Sequence, residues 1–170
     1  MDEKGLMMGV VLQYKVIVQK GPWAAKLPKN GSREWVTVIE AISGDGRLLH
    51  PVVINKGKAH YMGWYAKLQK MDVTTFGVLE KQWSNELLGL RWLKKIFNRE
   101  TQESAGNSYR LLSLDGDVSY FNCEFFDYCL NAKIIPFCLP AHSTHLLQPL
   151  DVGIFGPLQR HYSNGLDEFI

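Results

Sequence analysis

The 170-residue chain is one domain's worth of protein, 46% apolar and 21% charged, a composition that excludes wholesale disorder. Its formal net charge of +2 is too small to imply an anionic partner, so a nucleic-acid reading has to rest on a local patch or site. No apolar run approaches the ~18 residues a membrane helix needs, and Met1-Asp2-Glu3-Lys4 has neither the basic nor the apolar region of a secretory signal.

In chain order, residues 9–19 are rich in Val and Ile and predict a strand. Gly21, Pro22, Pro28, Asn30 and Gly31 make residues 21–32 a loop. Residues 35–43 carry alternating β-branched positions, Gly44-Asp45-Gly46 offers a tight turn, and residues 47–55 supply a second run; together they predict a hairpin. Residues 56–79 are ambiguous, apart from a short strand at Val73-Thr74-Thr75-Phe76. Ser84 suits the N-cap of a helix over 85–98, where Leu88, Trp92 and Ile96 fall four apart and Leu93 and Phe97 share a neighbouring stripe. Residues 99–108 are polar and predict a linker.

The period then changes. Residues 109–114 predict a short apolar strand ending at Asp115-Gly116. Asn122 is placed to cap a helix over 123–131, with Phe125, Phe126, Cys129 and Leu130 as its apolar face. Residues 134–139 predict a buried strand. Pro149 suits the first turn of a helix reaching about residue 162, which Pro157 should kink or restart. Antiparallel early strands followed by βαβ units predict an α/β fold, its mixed central sheet flanked by helices. Cys123, Cys129 and Cys138 lack a C-x-x-C pairing and read as reduced thiols.

Three aspartates occupy telling places. Asp115 closes a strand, where α/β sheets gather ligands. Asp151 sits in the first turn of the last helix, where the dipole alone favours a carboxylate. Asp2 precedes the first strand-like run. Singly, each reads as a cap or turn residue. Brought together they would repel and raise their own pKa values unless a cation neutralised them. All-oxygen ligation of that kind suits Mg²⁺ or Mn²⁺.

Other residues carry two readings. His142 and His145 are spaced as zinc ligands can be, but no Cys or His pair nearby completes a set of four. Glu3 should face away from Asp2 in an extended segment. Gln148 fits either a hydrogen-bonding post for the Asp151 loop or a solvated side chain. Arg91, Lys94, Lys95 and Arg99 fit either contacts to nucleic-acid phosphate or a solvated helix face, with the interleaved Trp92 in the core.

Cys138 to Tyr162, CLPAHSTHLLQPLDVGIFGPLQRHY, resembles the hallmark segment of the pogo-type transposases, whose DDE endonuclease domain is shared with jerky and centromere-protein-B relatives. Asp2-Glu3-x-Gly5-x-x-x-Gly9 resembles the family's first Asp motif. Arg33-x-Trp35-Val36-Thr37 through Ser43-x-x-Gly46 and Pro51-x-x-Ile54 resembles its hairpin. Trp83-Ser84 with Trp92-Leu93 resembles its insertion helix, and Leu114-Asp115-Gly116 with Ser119 its second Asp motif.

The resemblance covers residues 2–162. It implies a ribonuclease-H-like fold as a single domain over 1–170, with Asp2, Asp115 and Asp151 holding a pair of divalent metals, Mg²⁺ or Mn²⁺. The implied activity is hydrolysis of DNA phosphodiesters followed by strand transfer. DNA is the implied partner, the nucleus the implied location, and a homodimer an admissible assembly. His142 and His145 precede the third Asp, where they would order the loop or approach DNA phosphate.

The sequence departs from the family pattern at Asp117 and Tyr120, where histidines are usual, and at Gln159, where a lysine often follows Gly-Pro-Leu. The chain starts one residue before Asp2, which the resemblance reads as a truncated first strand without a helix-turn-helix DNA-reading region. These departures keep a second reading open, a catalytically inactive remnant or domesticated DNA-binding module.

Overall fold

Alternating β-branched residues build the first sheet. A computed structural model of the chain describes residues 1–8, 34–69, 74–79, 86–115 and 122–167. The expected strand over 9–19, the loop over 21–32, the Ser84 cap and positions Val73, Asp117, Ser119 and Tyr120 lie outside the described residues. Strand β1 (Asp2–Met7) pairs antiparallel with β2 (Trp35–Glu40), from Asp2 opposite Glu40 to Met7 opposite Trp35. Asp2 therefore lies within the first strand rather than before it. Gly5 leaves room for the Trp35 ring, which would stand 3.1 Å from a Cβ there.

β2 pairs antiparallel with β3 (Val52–Lys56), and the turn between them is the expected one. Gly46 N–H donates to the Ser43 carbonyl at 2.9 Å, and Gly46 adopts φ +85°, a conformation that glycine takes without steric penalty. The second strand, however, begins at Val52, not at residue 47. Ile39 faces Val52, whereas Ile42 bridges Leu48. Glu40 and Ala41 thus oppose Leu49, His50 and Pro51, and the extra residue is a bulge that interrupts regular pairing. Pro51 has no N–H for the ladder; its carbonyl instead accepts from Thr75 N at 3.0 Å. That bond leads into β4 (Thr75–Leu79), which runs parallel to β3.

The helix that follows is longer than its apolar pattern predicts. α1 (Glu86–Trp92) continues as a π-helical stretch, Leu93–Asn98, and then as α2 (Arg99–Ala105). The expected polar linker over 99–108 is thus helical through Ala105. No residue of α2 is buried, so nothing in its hydrophobicity marks it as helix. Trp92, Leu93, Ile96 and Phe97 are buried against Ile39, Val52 and Ile54 of the sheet in one core. Each such burial is worth roughly 1.5–3 kcal/mol.

β5 (Arg110–Leu114) and β6 (Ile134–Cys138) pair parallel, joined through α3 (Cys123–Asn131). Asn122 caps α3 as expected, its Oδ1 accepting from Phe125 N at 2.8 Å. Phe125 and Cys129 are buried, and burial pushes the Cys129 thiol up to about 11. Phe126 and Leu130, expected on the same apolar face, are exposed, as are Ile135, Phe137 and Cys138 of the strand expected to be buried. The expected single central sheet is, among the described residues, two ladders, β1-β2-β3-β4 and β5-β6. They meet where Met1 N donates to the Ser113 carbonyl at 2.9 Å.

The chain closes with α4 (Thr144–Leu147), a π-helical stretch Leu150–Ile154 and α5 (Phe155–Asp167). Pro157 does not end this helix. The change from π to α winding falls at Phe155, two residues ahead of Pro157.

Candidate acidic site

The three aspartates arrive from three different elements. β1 places Asp2 at its first residue, only 7% exposed. One carboxylate oxygen of Asp2 accepts from Glu3 N at 2.8 Å. Strand alternation turns the Glu3 side chain to the other face of β1, as expected. β5 delivers Asp115 immediately after buried Leu114, and Asp115 itself is half-buried. Asp151 stands exposed on the π-helical stretch, between the buried anchors Leu150 and Phe155.

The fields of these groups overlap. Burial first, and then the negative charges of Asp151 and Asp115, push the Asp2 carboxyl up to about 6, against the pull of the Glu3 N–H. A buried carboxylate with two like charges in reach resists ionisation. Among the described residues, however, no group of three His, Cys, Asp or Glu side chains stands close enough to hold a metal ion. The carboxylates share an electrostatic neighbourhood without forming a coordination shell.

Gln148 resolves in favour of the structural post. It is 1% exposed, and its Nε2 donates to the Met1 carbonyl at 3.1 Å. Its own backbone carbonyl accepts from Val152 N at 3.1 Å. One residue thus fixes the Asp151 segment to the backbone directly before Asp2. A cavity of about 580 Å³ opens beside this tie, lined by Met1, Ser113, Gln148 and Pro149 among others but by none of the three aspartates.

His142 and His145 are both exposed, on the turn Pro140–Ser143 and in α4. His142 adopts φ +61°, a left-handed conformation in which His is several-fold enriched among non-glycine residues. Ser143 Oγ closes that turn by donating to the Pro140 carbonyl at 2.7 Å. The basic run divides in two. Lys94 lies over the Tyr128 ring at 5.2 Å, whereas Arg91 and Lys95 line an open cleft with Arg99.

The sequence offers little sign of the part played by Arg110. Its guanidinium donates to Thr101 Oγ1 at 3.0 Å and Asn98 Oδ1 at 2.8 Å, and sits over the Phe97 ring at 5.8 Å. It binds the base of β5 to the long helix, and so sets the strand that carries Asp115. An arginine opening an otherwise apolar strand is the only signal in the residues themselves.

Residues 32–168 match the family described as DDE superfamily endonuclease. Asp115 and Asp151 fall inside that match, and Asp2 precedes it. The chain is also similar to a protein of Cochliobolus lunatus named MFS-type transporter clz9, at 34% identity over 172 residues. That likeness covers 99% of this chain but 18% of the relative, so the chain spans under a fifth of that protein's length. Among the described residues no helix is long and apolar enough to cross a membrane. No solved structure matches the chain. With its mixed α/β architecture and a match that runs over most of its length, the chain belongs to the DDE superfamily endonuclease family.

Proposed function

We propose that this chain is the catalytic core of a pogo-type transposase, a single ribonuclease-H-like domain that cleaves and joins DNA phosphodiesters with Mg²⁺ or Mn²⁺. The observation that carries the reading is the family match over residues 32–168, with burial first and then the charges of Asp151 and Asp115 raising the pKa of Asp2. The subtype rests on the segment Cys138 to Tyr162. A nuclear site of action follows from the same resemblance, with which a homodimeric assembly is compatible.

In chemistry, though not in spacing among the described residues, the three carboxylates suit a hard divalent cation, being all oxygen and mutually repelling. Asp2, Asp115 and Asp151 would hold it. When bound, the metal supplies charge neutralisation and a water or DNA 3′-hydroxyl activated for attack at phosphorus. The protein's own task is positioning. Gln148 holds the third acid's segment to the first strand, Arg110 holds β5 to the helix, and Asp2 has to lose its proton before it can ligate.

The test is nicking of supercoiled DNA with Mn²⁺ by the wild type and by Asp115→Ala. The reading expects nicking that the substitution abolishes. Full activity in Asp115→Ala overturns it. One observation favours the second reading, an inactive remnant or domesticated DNA-binding module: no three acids among the described residues form a ligand cluster. Its signature is salt-sensitive DNA binding indifferent both to metal and to Asp115→Ala.

A further inference from the structure

We propose that the cleft between the β3–β4 pair and the long helix is a separate docking track for the phosphodiester backbone of DNA, built by Arg91, Lys95 and Arg99. The inference rests on the DNA reading above but uses none of the three aspartates. The cleft has a volume of about 440 Å³. The three cations recur every four residues, on one side of the helix, and all three line it. The rest of its lining is mostly apolar, with Phe76, Trp92 and Ile96 among it, and also holds Thr75 and His60. A low-dielectric wall beside cations of one sign concentrates their field on an incoming anion.

The spacing suits a polyanion. Eight residues of helix rise by about 12 Å, and one strand of duplex DNA carries a phosphate every ~3.4 Å of axis. Three cations therefore face a stretch of three to four phosphates. Among the described residues no acidic side chain lines the cleft. Glu100, next in sequence to Arg99, is shared between two bases: it accepts from His50 N at 3.0 Å, meets His50 Nδ1 at 2.6 Å and also pairs with Arg99. The Arg99 guanidinium stands 3.3 Å from Glu100 Oε1, and its side chain remains 65% exposed. Arg91 and Lys95 have no acidic partner among the described residues. β4, on the opposite wall, is an edge strand of the described sheet.

The test measures duplex affinity by fluorescence anisotropy in EDTA, between about 50 and 200 mM salt, for a duplex of about 30 base pairs. The triple variant Arg91→Gln, Lys95→Gln, Arg99→Gln should flatten the slope of log affinity against log salt by about 2–3, near 0.9 for each phosphate that is no longer neutralised. Lys94→Gln, on the Tyr128 side, should leave the slope as it is. All four side chains are exposed, and circular dichroism checks that the variants remain folded. An unchanged slope in the triple variant overturns the proposal, as does absence of duplex binding by the wild type. An acidic protein partner would show instead as poly-glutamate binding that disappears in the triple variant with the DNA slope unmoved, which also overturns it. A flattened slope with no nicking by the wild type keeps this track and sinks the catalytic reading. Nicking abolished by Asp115→Ala with the slope unmoved does the reverse.

Discussion

Gln148 and Met1 stand 147 positions apart, yet the Gln148 side chain donates to the Met1 carbonyl at 3.1 Å in a wholly buried contact. The bond spans the two ends of the acidic site. It lets the fold, rather than a flexible loop, decide where Asp151 sits relative to Asp2.

Replacing Gln148 with Leu keeps the volume and removes the donor. The Met1 carbonyl is then buried without its partner, at a cost of about 1–3 kcal/mol. Urea melts of the variant should show that destabilisation with an unchanged m-value. A change within the error of the melt would mean that the tie does not secure this corner.

Asp2 gives the metal-free protein a distinctive pH dependence. Its folded carboxyl lies at about 6 against a usual 3.8. Between those values the folded state binds more protons than the unfolded state, so stability falls as pH rises. The contribution of neutral Asp2 is fully present below the usual value and is lost as pH passes through about 6. Asp2→Asn should remove this dependence and raise Tm at neutral pH. Thermal melts at acid and neutral pH check both; an Asp2→Asn protein no more stable than wild type at neutral pH contradicts it.

Leu93 is fully buried where the long helix meets the sheet. Leu93→Ala should cost about 2–5 kcal/mol, read as a shift in denaturation midpoint. Lys94→Ala, one residue on and exposed, should cost well under about 1 kcal/mol. Similar costs for both would contradict the assigned helix face.

His142 and His145 sit on the exposed segment before Asp151. Substituting both with Ala should weaken DNA binding several-fold and leave Mn²⁺ affinity intact, as compared by anisotropy and by metal titration. A drop in metal affinity first would make them ligands, against the carboxylate account.

Much of the local structure is legible in the residues themselves. The Ser43–Gly46 turn, the Asn122 cap and the Trp92–Phe97 stripe are short-range patterns, and each appears where the pattern places it. What fails is what depends on distant neighbours. β3 starts late because a bulge and Pro51 break the ladder, a matter of pairing rather than propensity. α2 carries a polar sequence because no core lies against it. Phe126, Leu130 and Phe137 look like core by type but are exposed, since the described residues place no layer over them. The aspartates stand out through a resemblance, not a period. The partner of Gln148 is beyond reach of the sequence because it is a backbone carbonyl, which no side-chain pattern encodes.

Joint action of Asp2, Asp115 and Asp151 on one cation, as proposed, would show in the protonation of Asp2. The most direct measurement is the titration of the Asp2 carboxyl followed by carbon-detected NMR, without metal and with Mg²⁺, in wild type and in Asp151→Asn. A shared cation site predicts a metal-free value near 6 that falls when Asp151 is neutralised and falls further in the wild type when Mg²⁺ is added. An Asp2 titration that neither Asp151→Asn nor Mg²⁺ moves would contradict it.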